Sequence, residues 1–391
     1  QDLLLDVEVL FDLMTSLPED SPRRNKILRK LNQAVNRYAE TPQNAVIARN
    51  ELASLINNGA NKSSLTAYAI GHAHLDTGWL WPVKESIRKA ARTFTHQMSL
   101  MEQYPEYVFG ASQPQHFKFI QDYYPELFEK VKHYVKKGQF ELQGAMWVEA
   151  DCNLISGESM IRQIMWGKNY FLKEFGQKID NLWLPDVFGY SANLPQILKA
   201  SGVDYFVTQK ISWNQFNIFP HHTFMWRGID GSEILSHFLP ANNYNGYVTP
   251  KELIAAEERF SENDVLDEFL YLYGIGDGGG GPKDDHIEYG RRLADTEGSP
   301  KVKFAKASDF LTKIQSETAN LERWVGELYL ELHRGTLTSQ AKIKQANRKL
   351  ESWLKSLEAL AAGLNYADYP HDQFQEIYPL LLVNQFHDII P

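Results

Sequence analysis

His72-Ala73-His74-Leu75-Asp76-Thr77-Gly78-Trp79 sets two imidazoles, a carboxylate and an indole side by side, directly after the apolar stretch Leu65 to Ile70. Side chains alternate faces along a strand, so His72, His74 and Asp76 at spacing two can all reach one pocket at the strand's C-terminal edge. Imidazole nitrogen with carboxylate oxygen is a donor set that suits zinc, whose sites rarely use more than four ligands. The plainer reading is a strand-end turn with local Asp76 and Thr77 hydrogen bonds and packed histidines, since short metal motifs match by chance. The full HxHxD pattern, followed by Gly78 and Trp79, favours a metal once partners appear downstream.

Two partners do appear. Asp186 lies in Trp183-Leu184-Pro185-Asp186-Val187-Phe188-Gly189-Tyr190, an apolar strand that ends in a carboxylate and a glycine loop. Alone, such an aspartate is more often an Asx-turn or helix cap. Beside the first motif it becomes the second strand-end carboxylate that a metal on His74 and Asp76 would require. Asn384-Gln385-Phe386-His387-Asp388 offers another imidazole at the end of an apolar helix, where its ordinary role is to complement the helix dipole.

The elements that must position these groups read as α/β. Residues 1–64 are a helical extension, with apolar periodicity in Leu3 to Leu13 and Ile27 to Tyr38. From residue 65 to 336 short apolar strands alternate with amphipathic helices, the pattern of a largely parallel sheet or barrel. Several strand candidates end in chemistry: Ala67 to Ile70, Phe140 to Val148, Leu182 to Leu184, Phe269 to Ile275 and Val325 to Leu332 lead to His74, Glu149, Asp186, Asp277 and His333. Active sites of such folds lie at strand C-termini. Residues 337–391 read as a helical segment, Thr338 to Leu360 and Phe374 to His387, that begins a bundle. Asp284-Asp285 reads as a helix N-cap.

Composition narrows the partner. Lys+Arg 40 against Asp+Glu 49 gives a net charge of −9, and no dense basic run carries interleaved aromatics, which argues against nucleic acid or an anionic membrane. A neutral polar ligand fits better. The one cysteine, Cys152, precludes an internal disulfide and leaves any metal to His and carboxylate ligands, with a reducing cytoplasm as the expected compartment. No apolar run reaches the ~18 residues of a membrane span. The termini read as those of a piece of something longer.

These motifs carry a resemblance. HAHLDTGW, WLPDVFGY and NQFHD, in that order across residues 66–391, resemble the signatures of the glycoside hydrolase family 38 α-mannosidases. TSLTAYAIGHAHLDTGWLWP, YGIGDGGGGP and ELYLELHRGT resemble the cytosolic-type branch. The resemblance implies an irregular, seven-stranded-like parallel β/α barrel for the catalytic domain, and further β-rich domains after the helical bundle. It implies a retaining exo-α-mannosidase that uses one Zn²⁺ per chain on α-mannoside oligosaccharides. His74 and Asp76 would be the first two zinc ligands, Asp186 the third ligand and catalytic nucleophile, and His387 the fourth. Asp277, in the glycine-rich stretch 274–281, would be the general acid/base. Trp79 would lie under the mannose ring, Asp388 would bind sugar hydroxyls, and His72 would stand outside the metal's contact shell. Lys210 occupies a position where other branches carry an arginine, which could make a bidentate contact that lysine cannot. Tyr244, His333 and Arg334, with Glu149 and Asp151, are further partners for sugar hydroxyls. A homo-oligomer is left open.

Three rival readings lead to different outcomes. A zinc-dependent carbohydrate deacetylase would use the same ligands with metal-bound water as nucleophile. A nucleotide site at Gly276 to Gly281 lacks the GK[ST] ending of a phosphate loop. A catalytically incomplete carbohydrate-binding fragment would hold the motifs without turnover.

Overall fold

The computed structural model describes residues 1–365 and 368–391; positions 366 and 367 of the expected C-terminal helical stretch lie outside the described residues. Three helices come first: α1 (Asp2–Ser16), α2 (Pro22–Glu40) and α3 (Ala45–Ile56). Ser21 caps α2 by accepting from Arg24 N, and Pro22 opens the helix where its missing N–H costs nothing. α3 lies within the stretch expected to be helical, although no apolar periodicity marks it in the sequence. The three helices close their own small core around Leu10, Leu13, Ile27, Leu31, Leu52 and Leu55.

Ten strands follow among the described residues: β1 (Thr66–His72), β2 (Phe109–Ala111), β3 (Phe140–Leu142), β4 (Asn181–Trp183), β5 (Tyr205–Thr208), β6 (Thr223–Arg227), β7 (Glu233–Phe238), β8 (Glu268–Tyr273), β9 (Lys301–Phe304) and β10 (Arg323–Val325). Between them come α4 (Val83–Gln103), α5 (Pro114–Tyr123), α6 (Pro125–Lys137), α7 (Gly157–Phe175), α8 (Leu194–Ala200), α9 (Pro250–Arg259), α10 (Asp284–Arg292) and α11 (Ala307–Ile314), with α12 (Ala341–Ala361) and α13 (His371–Val383) last. Of the expected strand Phe140 to Val148 only Phe140–Leu142 forms, and of Val325 to Leu332 only Val325, the last residue of β10, lies in a strand, the rest of both being irregular. Asp284 and Asp285 lie in the first turn of α10 rather than at its cap, which is Lys283; there they still favour the positive end of the helix dipole.

The strands do not close into one sheet, as the irregular parallel barrel expected from the sequence would have them do. They make two five-stranded sheets, ordered β3-β2-β1-β8 with β9 also on β1, and β10-β6-β7-β5-β4. In the first, β8 runs along Thr66 to Gly71, while β9 and β2 pair with the first and last parts of β1. In the second, β6 and β7 form an antiparallel hairpin whose turn has Gly231 at φ 88°. Side chains, not ladders, bridge the seams. His237 Nε2 on β7 accepts from Leu270 N on β8 at 3.3 Å, and Asn181 Oδ1 on β4 accepts from Gly144 N, just after β3, at 2.9 Å. Backbone donors that a closed barrel would pair across strands are thus satisfied by two polar side chains.

Both sheets share one core. Phe269, Leu270, Leu272, Phe206, Phe224 and Trp226 are fully buried, and each large apolar side chain contributes ~1.5–3 kcal/mol by the transfer scale. Leu382, Phe386 and Ile390 join this core from beyond or at the end of α13, which brings the chain's last residues against the sheets.

Candidate functional site

Pairing of β1 ends at His72, so the strand alternation expected for His72, His74 and Asp76 stops there. His74 and Asp76 sit on the loop beyond, pinned by Asp76 N donating to Asp277 O at 2.9 Å and by a bridge between Leu75 and Gly278. His72 stays behind: its Nε2 accepts from Trp183 Nε1 at 3.1 Å, and burial takes its pKa down to about 3. Asp186 lies just past β4, where Leu184 N donates to Val207 O and the Tyr190 hydroxyl to Leu184 O.

His387 arrives from the other end of the chain. It is not a helix-end residue, since α13 stops at Val383 and the imidazole belongs to the turn that follows. That turn is laced to the segment after β3. His387 N donates to Glu149 O at 3.2 Å and Asp151 N to Gln385 O at 2.9 Å. The buried Gln163 of α7 accepts from Val148 N and donates to Leu382 O, tying both segments to one helix.

The four residues converge. His74 Nε2 is 3.0 Å from Asp76 Oδ1 and 3.9 Å from Asp186 Oδ2; His387 Nε2 is 3.8 and 3.6 Å from the same two oxygens. One ligand atom from each lies within 4.8 Å of all the others, and all four side chains are buried. His74 Nε2, Asp76 Oδ1 and His387 Nε2 have no hydrogen-bond partner among the described residues. Orphaned buried polar atoms are costly, and three aimed at one point are what a metal ion would satisfy. With two imidazole nitrogens, carboxylate oxygens and no thiol, the set fits zinc.

The electrostatics agree. Burial alone would lower both imidazoles, yet Glu149 and Asp76 raise His74 well above its usual value, and Asp186 and Asp388 bring His387 up to about 9. Burial works against ionised Asp186, but the neighbouring His387, His74 and Lys210 hold it far below the usual carboxylate range. Burial, helped by Asp76 and Asp186 and opposed by His387, pushes Asp388 up to about 7. The pocket concentrates negative charge that protons, or a divalent cation in their place, must balance.

Asp277 faces this cluster from the loop after β8. Its φ of 58° is left-handed, a strained backbone that aspartate tolerates better than most residues. The glycines behind it fold tightly on α4, because a Cβ at Gly279 would meet Thr93 Oγ1 at 2.6 Å and one at Gly281 would meet Gln97 at 2.7 Å. A phosphate loop here would also lack free backbone donors, since Gly280 N bonds Thr93 Oγ1 of α4 while Gly278 N and Gly281 N bond Gly276 O and Ile275 O within the loop. Tyr244, packed edge-on to His74 at 5.0 Å, donates its hydroxyl to Asp277 Oδ1 at 3.0 Å and also interacts with Asp186.

Around them, Trp79 keeps its indole 48% exposed, edge-on to Trp81. The Lys210 ammonium, buried on Asp186 Oδ1 at 2.5 Å, sits 3.6 Å from the centre of the Trp213 ring and 5.2 Å from that of Phe188. His333 packs on Phe188 at 4.8 Å, whereas Arg334 turns to Gln215 Oε1 and the Phe216 ring instead of the cluster. Asp151 is a loop-former, its Oδ1 accepting from the Asn153 and Leu154 amides. Glu149 lies behind the histidines and not toward a ligand. Sequence reasoning missed Trp213 and Phe188 as a cage for Lys210; only their closeness in sequence to Lys210 and Asp186 hinted at it.

Residues 64–327 match the model of the glycosyl hydrolases family 38 N-terminal domain, and residues 331–391 that of the alpha-mannosidase middle domain. The chain is 40% identical to alpha-mannosidase 2C1 of Homo sapiens over 99% of its own length and 38% of that protein's. It is 40% identical to alpha-mannosidase G of Dictyostelium discoideum, covering 100% of this chain and 36% of that one. The chain thus spans well under half the length of these relatives. Among solved structures, an alpha-mannosidase from Enterococcus faecalis V583 superposes with a TM-score of 0.69 at 23% identity, over 83% of this chain and 39% of that one, a likeness of fold. None of the helices among the described residues is long and apolar enough to cross a membrane.

Proposed function

The chain belongs to glycosyl hydrolase family 38, and from that premise we propose that it carries the catalytic centre of a zinc-dependent retaining exo-α-mannosidase. Its substrates would be oligosaccharides ending in α-linked mannose, as the names of its relatives suggest. The observation that carries the reading is the convergence of buried, unsatisfied His74 Nε2, Asp76 Oδ1 and His387 Nε2 on the Asp186 carboxylate. Those four residues would hold one ion. When bound, zinc would offer a Lewis-acidic seat for vicinal hydroxyls of mannose.

The chain's own groups do the rest. Asp186, kept ionised by its cationic neighbours, attacks the anomeric carbon while the bond to the leaving oxygen breaks and Asp277 delivers its proton to that oxygen. Asp277, now a carboxylate, takes a proton from the water that attacks the same carbon and frees Asp186. Two inversions give net retention. A double displacement calls for the two carboxyls ~5–5.5 Å apart, against the ~6.5–9.5 Å that leaves room for a water. Trp79 offers an open ring face to the sugar. Asp388 would bind its hydroxyls, and His333 and Arg334 would meet hydroxyls further out.

The 2C1-type relatives and the single buried Cys152 support a cytoplasmic setting. The β-rich domains expected beyond residue 391 would complete the protein. The test is to incubate the zinc-loaded protein with a slow fluorinated mannosyl donor and map the labelled peptide. A mannosyl ester on Asp186 is expected. Turnover without an adduct on Asp186 would overturn the nucleophile assignment, and deacetylation of an acetylated sugar in its place would favour the deacetylase.

A further inference from the structure

Glu149 is the residue that the proposed reaction leaves unused, yet it touches both histidines of the cluster. Its Oε2 lies in ion-pair contact with His74 Nδ1 at 3.2 Å, and neither atom has another partner among the described residues. Its main-chain oxygen lies 2.6 Å from His387 Nδ1. The other carboxylate oxygen accepts from Ser112 Oγ at 2.6 Å, and Glu149 N is held by Gln113 Oε1 at 3.3 Å. Gln113 in turn donates to Leu75 O, between His74 and Asp76, at 3.0 Å. The side chain is 2% exposed, so no sugar reaches it.

We infer that Glu149 is the positioning residue for both imidazoles, its side chain orienting His74 and its main-chain carbonyl orienting His387. An imidazole binds a metal through one nitrogen only when the proton sits on the other, and the partner of that second nitrogen decides the tautomer and the ring's aim. Both histidines turn Nε2 to the cluster and Nδ1 to Glu149. One residue therefore sets two ligands, which arrive from opposite ends of the chain. The carboxylate makes His74 the more strongly polarised of the two, since a charged acceptor holds an N–H harder than a neutral carbonyl does.

The inference rests on the metal reading of the four-residue cluster and predicts an asymmetry that a merely structural role does not. Glu149→Gln removes the charge in nearly the same volume, and Glu149→Ala removes the acceptor; both leave the main-chain carbonyl to His387. Zinc affinity, measured by competition with a chromophoric chelator, should fall roughly 10-fold in the first and up to about 100-fold in the second. Ser112→Ala, which frees Glu149 Oε1 without touching either histidine, should lower it several-fold. In zinc-loaded protein with ¹⁵N-labelled histidine, the slowly exchanging Nδ1–H signal of His74 should vanish in Glu149→Ala while that of His387 persists. Unchanged affinity in both Glu149 variants, or loss of the two signals together, would overturn the inference while leaving the metal site standing. A wild-type protein that binds no zinc would overturn the metal reading and this inference with it.

Discussion

At the scale of the residue, the chemistry is concentrated where burial and charge leave few alternatives. Asp186→Asn keeps the shape and loses the attacking oxygen anion, so kcat on an aryl α-mannoside should fall by on the order of 10⁴–10⁶, as when other catalytic nucleophiles are removed. Steady-state assays with intact zinc content would check it. Lys210→Met leaves the buried Asp186 without its ammonium, and breaking such a pair costs about 3–5 kcal/mol. Urea titration of the zinc-free variant should show that loss, and zinc should restore part of it. His74, Asp76, Asp186 and His387 were legible in the sequence because short motifs place ligands next to chain breaks such as Gly78 and Gly189. The roles of Glu149 and the Trp213 cage were not, since their partners come from distant segments and no local pattern encodes a three-dimensional contact.

At the scale of the element, the alternation of strands and helices was readable, but the closing of the sheet was not. Periodicity reports which residues are buried; it does not say that His237 rather than a strand accepts from Leu270 N. Strand lengths failed in the same way, because the segments after Leu142 and Val325 are buried or extended without ladder partners. His237 also predicts a pH dependence. Burial, helped by the nearby His222, lowers its pKa to about 3, against about 6.5 in the unfolded chain. Its neutral form accepts from Leu270 N, so its contribution is complete above pH 6.5 and is lost as pH falls toward 3. The urea midpoint should drop over that window, and His237→Gln should flatten the slope by up to one proton, about 1.4 kcal/mol per pH unit. In α7, Gly167→Ala would drive a Cβ to 2.1 Å from the main-chain oxygen of Ala145, on the segment that leads to Glu149. Backbone cannot give way as a side chain can, so a loss of about 1–3 kcal/mol is expected by denaturant titration, with weakened zinc binding alongside.

At the scale of the whole molecule, the first three helices are tied to the α/β layer. Arg292 of α10 is buried against Asp6 of α1 at 2.5 Å and Glu288 at 2.6 Å, and Arg23 of α2 reaches Leu55 O and Glu297. Asp6→Ala removes one of the carboxylates on Arg292 and leaves Glu288, so a loss of about 1.5–3 kcal/mol is expected, seen as a lower Tm or as early proteolysis of the helices. The extension read from sequence as a separate helical stretch is thus anchored by ion pairs that its apolar periodicity did not reveal. The same joining of distant parts assembles the site, which takes residues from positions 74 to 388. A double displacement on Asp186 is tested by a proton NMR time course of the zinc-loaded protein with an aryl α-mannoside. Mannose should appear first as the α-anomer; β-mannose first would mean a single displacement and rule out Asp186 as a covalent nucleophile.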